Sequence, residues 1–313
     1  MLKQSFTNFE IILMDDCSSD NSRIIIDEYK ANDDRISVVY NEQNSGSTFK
    51  QWNKGFALAR GEYVWIAESD DYAEPELLRT LLSKLESDSS IGLAYCNSAF
   101  VDEFDSPLGI ENKFYLELDP VLWSKDFVLN GDYLVKTYMS FQNIIPNASA
   151  VLVRRKLLLE VDKADESFKV NGDWVFWASI FVRCNVAFVA QKLNYFRLHM
   201  NNARSKINKG LAVSEMTKVV RTMKKYGEPN PYFLLKMIDK LHGLWFESMV
   251  ANNISIENSK IIYNNLKYFD LNFRQNFFRF FKKYVLSDKL SGARQYLGDG
   301  LFYKYFKKEE SRL

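Results

Sequence analysis

Two Asp-Asp pairs each close an apolar run: Ile11-Ile12-Leu13-Met14-Asp15-Asp16 and Val64-Trp65-Ile66-Ala67-Glu68-Ser69-Asp70-Asp71. An unbroken apolar run of this length reads as a strand buried on both faces, as in parallel sheets covered by helices. Carboxylates directly after such a strand lie at its carboxyl end, where open α/β sheets bind ligands. Four Asp side chains gathered there repel one another unless a cation or hydrogen-bond donors hold them. A divalent metal with a nucleotide phosphate meets that need.

The rest of the chain fits an enzyme-sized α/β protein. Its 313 residues allow one large domain with an appendage, or two domains, and a 47% hydrophobic share supplies a core. A net charge of +1 argues against nucleic acid as a partner. Cys17, Cys96 and Cys184 form no metal or disulfide pattern and read as reduced thiols of a cytoplasmic protein. No apolar stretch is long enough to span a bilayer, and Met1-Leu2-Lys3-Gln4-Ser5-Phe6 runs almost directly into the first strand without a signal peptide.

Strand and helix patterns alternate down to about residue 100. A helix over 21–30 should turn Ile24, Ile25 and Tyr29 inward, and a strand follows at 37–40. A helix from about Ser47 stops at Gly61, and Pro75 opens another with Leu77, Leu78, Leu81, Leu82 and Leu85 on one face. A buried strand runs from Ile91 to Tyr95. This alternation predicts a mostly parallel, Rossmann-like α/β sheet flanked by helices. From Phe100 to Pro146 the pattern blurs into an aromatic, polar region. A strand over 148–153, a helix over 173–181 and a strand over 186–189 follow, and from about residue 207 the reading is helical. The expected division is a catalytic domain over 1–205 and a helical region over 206–313.

With these elements placed, the chain resembles an inverting family 2 glycosyltransferase of the GT-A fold. The segment Asp15-Asp16-Cys17-Ser18-Ser19-Asp20 is similar to the family's D-D-x-S-x-D, and Asn53-Lys54-Gly55-Phe56-Ala57-Leu58-Ala59-Arg60-Gly61-Glu62-Tyr63 to its N-x-G-x-x-x-A-x-G-E-Y. Ser69-Asp70-Asp71 stands where the D-x-D-type metal signature belongs, and Asn171-Gly172-Asp173-Trp174 and Tyr195-Phe196-Arg197-Leu198-His199 complete the order. The resemblance implies that Asp16, beside Asp15, reads the uracil edge of a UDP-sugar and that Asp70 lies against the ribose. It further implies that Asp71 binds Mn2+ or Mg2+ on the diphosphate, that Arg197 and His199 approach the diphosphate or the metal, and that Asp173 is the general base. Where many relatives have Glu-Asp, this chain has Gly172-Asp173. Trp174 and Trp177 are sugar-stacking or core residues. The family also begins with a central strand and a helix ahead of position 1, so a truncated reading frame is expected.

Residues 267–308 hold ten Lys or Arg against Asp270, Asp288 and Asp299, interleaved with Phe273, Phe277, Phe280, Phe281 and Tyr284. As a helix these aromatics make one stripe flanked by cations, suited to peripheral contact with an anionic membrane or to packing on the protein itself. The expected activity is metal-dependent transfer of a sugar from a nucleotide-sugar donor, UDP-linked, to a glycan or lipid-linked acceptor in bacterial envelope polysaccharide synthesis. A nucleotidyltransferase would need a Gly-rich basic phosphate loop near the N-terminus, and none is visible. The other alternative is a non-catalytic nucleotide- or glycan-binding relative.

Overall fold

The computed structural model describes residues 1–110, 114–198 and 208–286. The chain forms two compact units, Met1–Asn202 and Ala203–Leu313. In the first, β1 (Ile11–Asp15) pairs in parallel with β2 (Ile36–Tyr40), from Ile11 opposite Ile36 to Asp15 opposite Tyr40. The connection is α1 (Ser22–Asn32). Its apolar residues do not face inward as their spacing suggests: Ile24 is 60% exposed, and Ile25 and Tyr29 are also exposed. A sheet of only two strands offers too narrow a platform to bury the apolar face of a helix.

Next come α2 (Thr48–Leu58), capped by the Ser47 hydroxyl, then β3 (Tyr63–Trp65), β4 (Tyr72–Ala73) and α3 (Leu77–Ser87). They are followed by β5 (Ile91–Val101), β6 (Phe127–Asn130), α4 (Gly131–Thr137), β7 (Val151–Arg154), α5 (Arg155–Glu160), α6 (Gly172–Phe181) and β8 (Asn185–Arg197). The larger sheet has the order β3-β7-β5-β8-β4, with β6 also on β8. The α/β layering is as expected, and the pairing is mixed. Among the described strands only β1–β2 and β5–β8 are parallel, while β7 enters between β3 and β5 antiparallel to both. Apolar runs reveal burial but not direction.

β8 changes partner along its length, pairing β6 through Asn185–Phe188 and β4 through Asn194–Tyr195. Its register against β5 shifts between Cys96 and Ser98. Such bulges re-aim side chains, and here the shift delivers Ser98 and Asn194 to the site described below. Among the described residues β1 pairs only with β2, and β3 only with β7, so the sheet is divided between β1 and β3.

The core lies between α3 and the larger sheet. Leu77, Leu78, Leu81 and Leu85 pack on Ile91, Ala94, Cys96, Leu152, Ala187, Val189 and Leu193. Each fully buried Leu contributes about 1.5–3 kcal/mol. Gln4 caps this helix: its Oε1 accepts from the Leu78 amide at 2.9 Å, and its Nε2 donates to the Glu74 carbonyl at 2.7 Å. The three cysteines are free.

The second unit contains α7 (Lys209–Met223), α8 (Pro231–Val250), α9 (Ile256–Phe269) and α10 (Phe273–Phe281). Asn208, Asn230 and Ser255 cap the first three through side-chain oxygens. His242 is buried and bonded through Nε2 to Asp270 Oδ2 at 2.9 Å, and burial pulls its pKa down. Phe273, Phe277 and Phe280 pack on His242, Trp245 and Phe246, so the aromatic stripe of the basic tail is used within this unit. The part of that tail beyond Leu286 lies outside the described residues. No helix among those described is long and apolar enough to cross a membrane.

Candidate active site

β1 ends in the first Asp pair, and the two carboxylates part company. Asp15 is buried: Arg23 Nε donates to its Oδ2 at 2.9 Å and the Ser18 amide approaches both of its oxygens. Burial alone would raise its pKa, but the Ser18 and Arg23 bonds outweigh that and hold it below the ordinary value. Cys17 reverses the chain with φ +63°, a left-handed conformation uncommon outside glycine. Asp16 instead reaches the 41–47 loop. Its Oδ1 accepts from Asn41 Nδ2 (2.7 Å), the Ser45 amide (2.8 Å) and Gln51 Nε2 (2.8 Å), and its Oδ2 accepts from Ser45 Oγ (2.8 Å). Oδ2 carries fewer side-chain donors than Oδ1 and keeps acceptor capacity for a ligand N–H. Burial pushes the Asp16 carboxyl up, and its donors, led by the Ser45 amide, bring it below the usual range.

The second Asp pair follows β3. Glu68, Asp70 and Asp71 each offer a carboxylate oxygen, all within 4.8 Å of one another. Glu68 is the member that the motif reading missed, although its place two residues before Asp70 was visible. Asp71 is the most firmly held. Asn147 Nδ2 donates to its Oδ2 at 2.5 Å, and the Arg197 amide donates to its Oδ1 at 3.0 Å. Burial pushes the Asp71 carboxyl above its ordinary value, against bonds from Ser149, Arg197 and Asn147 that favour its charge. Three half-buried carboxylates at this spacing, one kept from easy ionisation, suit a hard divalent cation with oxygen ligands.

Arg197 supports this acidic turn with more than its backbone. Its Nε donates to the Asp70 carbonyl at 2.8 Å, Nη1 to the Asp102 carbonyl at 3.2 Å, and Nη2 pairs with Asp105 at 2.7 Å. His199 lies outside the described residues.

Asp173 sits in the first turn of α6, where the helix dipole favours a carboxylate. Its Oδ2 accepts from Asn143 Nδ2 at 3.0 Å. The preceding Gly172 is tightly packed: a Cβ there would come within 2.6 Å of the Phe49 ring. Any side chain at this position, an acid included, would meet that ring. Trp174 and Trp177 are both buried, and Trp174 Nε1 donates to the Met139 carbonyl, so the pair belongs to the core. Asn53 is likewise structural, bonded through its amide to Ala164 and Glu166.

The 143–149 segment joins the parts. Asn143 holds Asp173, Asn147 holds Asp71, and Ser149 accepts the Glu68 amide through Oγ (3.0 Å) and Trp65 Nε1 through its carbonyl (2.7 Å). The structure thus gathers Glu68, Asp70, Asp71 and Arg197 into one cluster and ties Asp173 to the same segment. Asp16 is set on its own loop beyond β1.

Solved structures share this architecture. The chain superposes on Staphylococcus aureus TarS residues 1–349 in complex with UDP-GlcNAc with a TM-score of 0.58 and 16% identity, covering 98% of this chain and 85% of that one. The mannosyltransferase PcManGT of Pyrobaculum calidifontis, in complex with GDP-Man and Mn2+, gives a TM-score of 0.52 at 11% identity, covering 95% and 81%. The fold is the GT-A fold of glycosyltransferases. Residues 1–133 match the family model for Glycosyl transferase family 2. The chain is 29% identical over 205 residues to the glycosyltransferase GlyG of Streptococcus pneumoniae, which spans 65% of this chain and 54% of that protein. It is 38% identical over 81 residues to the poly(ribitol-phosphate) beta-N-acetylglucosaminyltransferase TarS of S. aureus, 25% of this chain and 14% of that one. This chain therefore spans about half the length of GlyG.

Proposed function

We propose that this chain is a metal-dependent, inverting glycosyltransferase that moves a sugar from a UDP-linked donor to a hydroxyl of a glycan or lipid-linked acceptor. The observation that carries the reading is the Glu68, Asp70 and Asp71 cluster at the end of β3, its oxygens within 4.8 Å of one another. Glu68, Asp70 and Asp71 would hold Mn2+ or Mg2+, whose chemistry when bound is to neutralise charge on the departing diphosphate. Asp16 accepts from the base through Oδ2, and Arg197 keeps the acidic turn in place. Asp173 takes the proton of the acceptor hydroxyl as it attacks the face opposite the diphosphate, the arrangement that inversion requires. A charged nucleotide sugar does not cross a bilayer unaided, so the reaction belongs in the cytoplasm. A lipid-linked acceptor would bring the chain to the inner face of the plasma membrane.

The test is a screen of UDP-sugars with candidate glycan acceptors, read as UDP released and as glycosylated product. Metal-dependent release lost in Asp173→Asn supports the reading, and release unaffected by that change contradicts it. The division of the sheet between β1 and β3 favours a second reading, a non-catalytic nucleotide-sugar binder. Metal-dependent UDP binding with no turnover across the screen would select it.

A further inference from the structure

The basic aromatic helix has two faces, and only one is used. Phe273, Phe277 and Phe280 turn inward onto α8, and Tyr284 stacks on Phe280. A second row at four-residue spacing, Arg274, Phe278, Lys282 and Leu286, is exposed throughout. Residues four apart on an α-helix share a face, as Arg274 and Phe278 do on α10, and Lys282–Leu286 continue it as a π-helical turn. Leu271, in the turn that precedes α10, is 99% exposed, Phe278 67% and Leu286 48%. Cations and large apolar tips therefore alternate along one outer surface, with Arg279 and Lys283 also exposed. From 271 to 286 the chain contains no carboxylate. The neighbouring Asp270 is turned inward to His242, and Asp239 of α8 pairs with Arg279.

We propose that this outer face of α10 and its continuation to Leu286 docks on an anionic lipid bilayer. Scattered exposed apolar residues are ordinary. Three within sixteen residues, interleaved with cations and free of carboxylates, make a surface suited to a headgroup layer. Lys and Arg meet the lipid phosphates while Leu271, Phe278 and Leu286 enter the acyl boundary. At about 1.5 Å per residue the nine residues of α10 extend roughly 13 Å in the plane of the membrane, and the π-helical turn Lys282–Leu286 lengthens that surface. An acidic protein would satisfy the cations without using the aliphatic tips. A nucleic acid would use aromatic stacking rather than Leu271 and Leu286. The proposal goes beyond the transferase reading and does not depend on it.

The experiment is flotation of the full chain with vesicles of phosphatidylcholine alone or with one-third phosphatidylglycerol, at low and high salt. Two variants accompany it, Arg274→Gln/Lys282→Gln/Lys283→Gln and Leu271→Ser/Phe278→Ser. Both leave the inward Phe row intact, and unchanged far-ultraviolet dichroism and melting verify the fold. Binding to the anionic vesicles, weakened by salt, is expected. At roughly fivefold per cation, the triple variant should lose about a hundredfold in affinity. The double variant should lose at least about tenfold, because apolar area contributes alongside charge. UDP binding should be unchanged in both, so that failure here is separable from failure of the transferase reading. No flotation at low salt, equal binding to both vesicle types, or wild-type binding by either variant would overturn the proposal. Capture of single-stranded RNA in place of vesicles would overturn it as well.

Discussion

Asn147 donates its amide to Oδ2 of Asp71 at 2.5 Å while its carbonyl oxygen accepts from Ser98 Oγ (3.2 Å) and Asn194 Nδ2 (3.1 Å). Asn147, Ser98 and Asn194 are all buried. The network fixes which end of the amide faces the carboxylate, so the β5–β8 bulge is connected to the acidic cluster through one side chain. Replacement by Ala leaves Ser98 and Asn194 short of a partner and frees the Asp71 side chain to rotate. Asn147→Ala should cost about 1–3 kcal/mol in stability. It should also weaken Mn2+-dependent UDP binding by roughly 10–100-fold, the usual loss when a ligand's supporting residue is removed. Denaturant unfolding and calorimetry measure the two effects separately.

Asp173 is held by Asn143, and in the proposed reaction it acts on the acceptor rather than on the donor. Asp173→Asn keeps the shape and removes the base. Turnover should fall by about 10²–10⁴-fold, while calorimetric UDP affinity stays within about threefold of wild type, since uniform binding is untouched. A parallel loss of UDP affinity would assign Asp173 to the donor pocket instead.

Gly172 lies against Phe49 and Phe168, with a Cβ approach of 2.6 Å to the Phe49 ring. Gly172→Ala forces the start of α6 away from α2 and should destabilise the first unit by about 1–3 kcal/mol. Gly172→Glu, which restores the acid of many relatives, should cost more and bring no gain in turnover. A paired melting and activity comparison of the two variants checks this.

Asp15 has a folded-state pKa below its unfolded value, because Ser18 and Arg23 outweigh the effect of burial. The sign follows from linkage: the unfolded chain binds the proton more tightly. Its stabilising contribution is therefore present above the unfolded carboxylate pKa and is lost as pH falls through the lowered folded one. Asp15→Asn should destabilise by about 1–3 kcal/mol at neutral pH, with the difference from wild type shrinking on acidification. Unfolding midpoints across that pH window provide the measurement.

What could be read in advance divides along physical lines. The Leu77, Leu78, Leu81 and Leu85 face of α3 repeats at helical spacing, and all four are buried. The acidic turns were legible because carboxylates after an apolar strand have few structural uses. Hydrogen bonds between distant residues were not legible: Asn147 lies 76 residues from Asp71, and Asn143 lies 30 from Asp173. Nothing local marks these Asn residues as partners. The inward reading of Ile24, Ile25 and Tyr29 failed because helical periodicity does not reveal how wide a sheet lies beneath. β6 and α4 were hidden in the aromatic stretch, since β6 has four residues and none is buried. His199 and the distal basic tail fall outside the described residues, where the sequence reading stands as an expectation.

In the proposed site Asp71, with Glu68 and Asp70, holds a divalent ion that binds a nucleoside diphosphate. The most direct measurement is a calorimetric titration of UDP into the protein with and without Mn2+, on wild type and Asp71→Ala. Binding should require Mn2+, be abolished by the substitution, and weaken on acidification as protons compete for the raised Asp71 carboxyl. Absence of UDP binding in the presence of Mn2+, or binding that Asp71→Ala leaves intact, would contradict it.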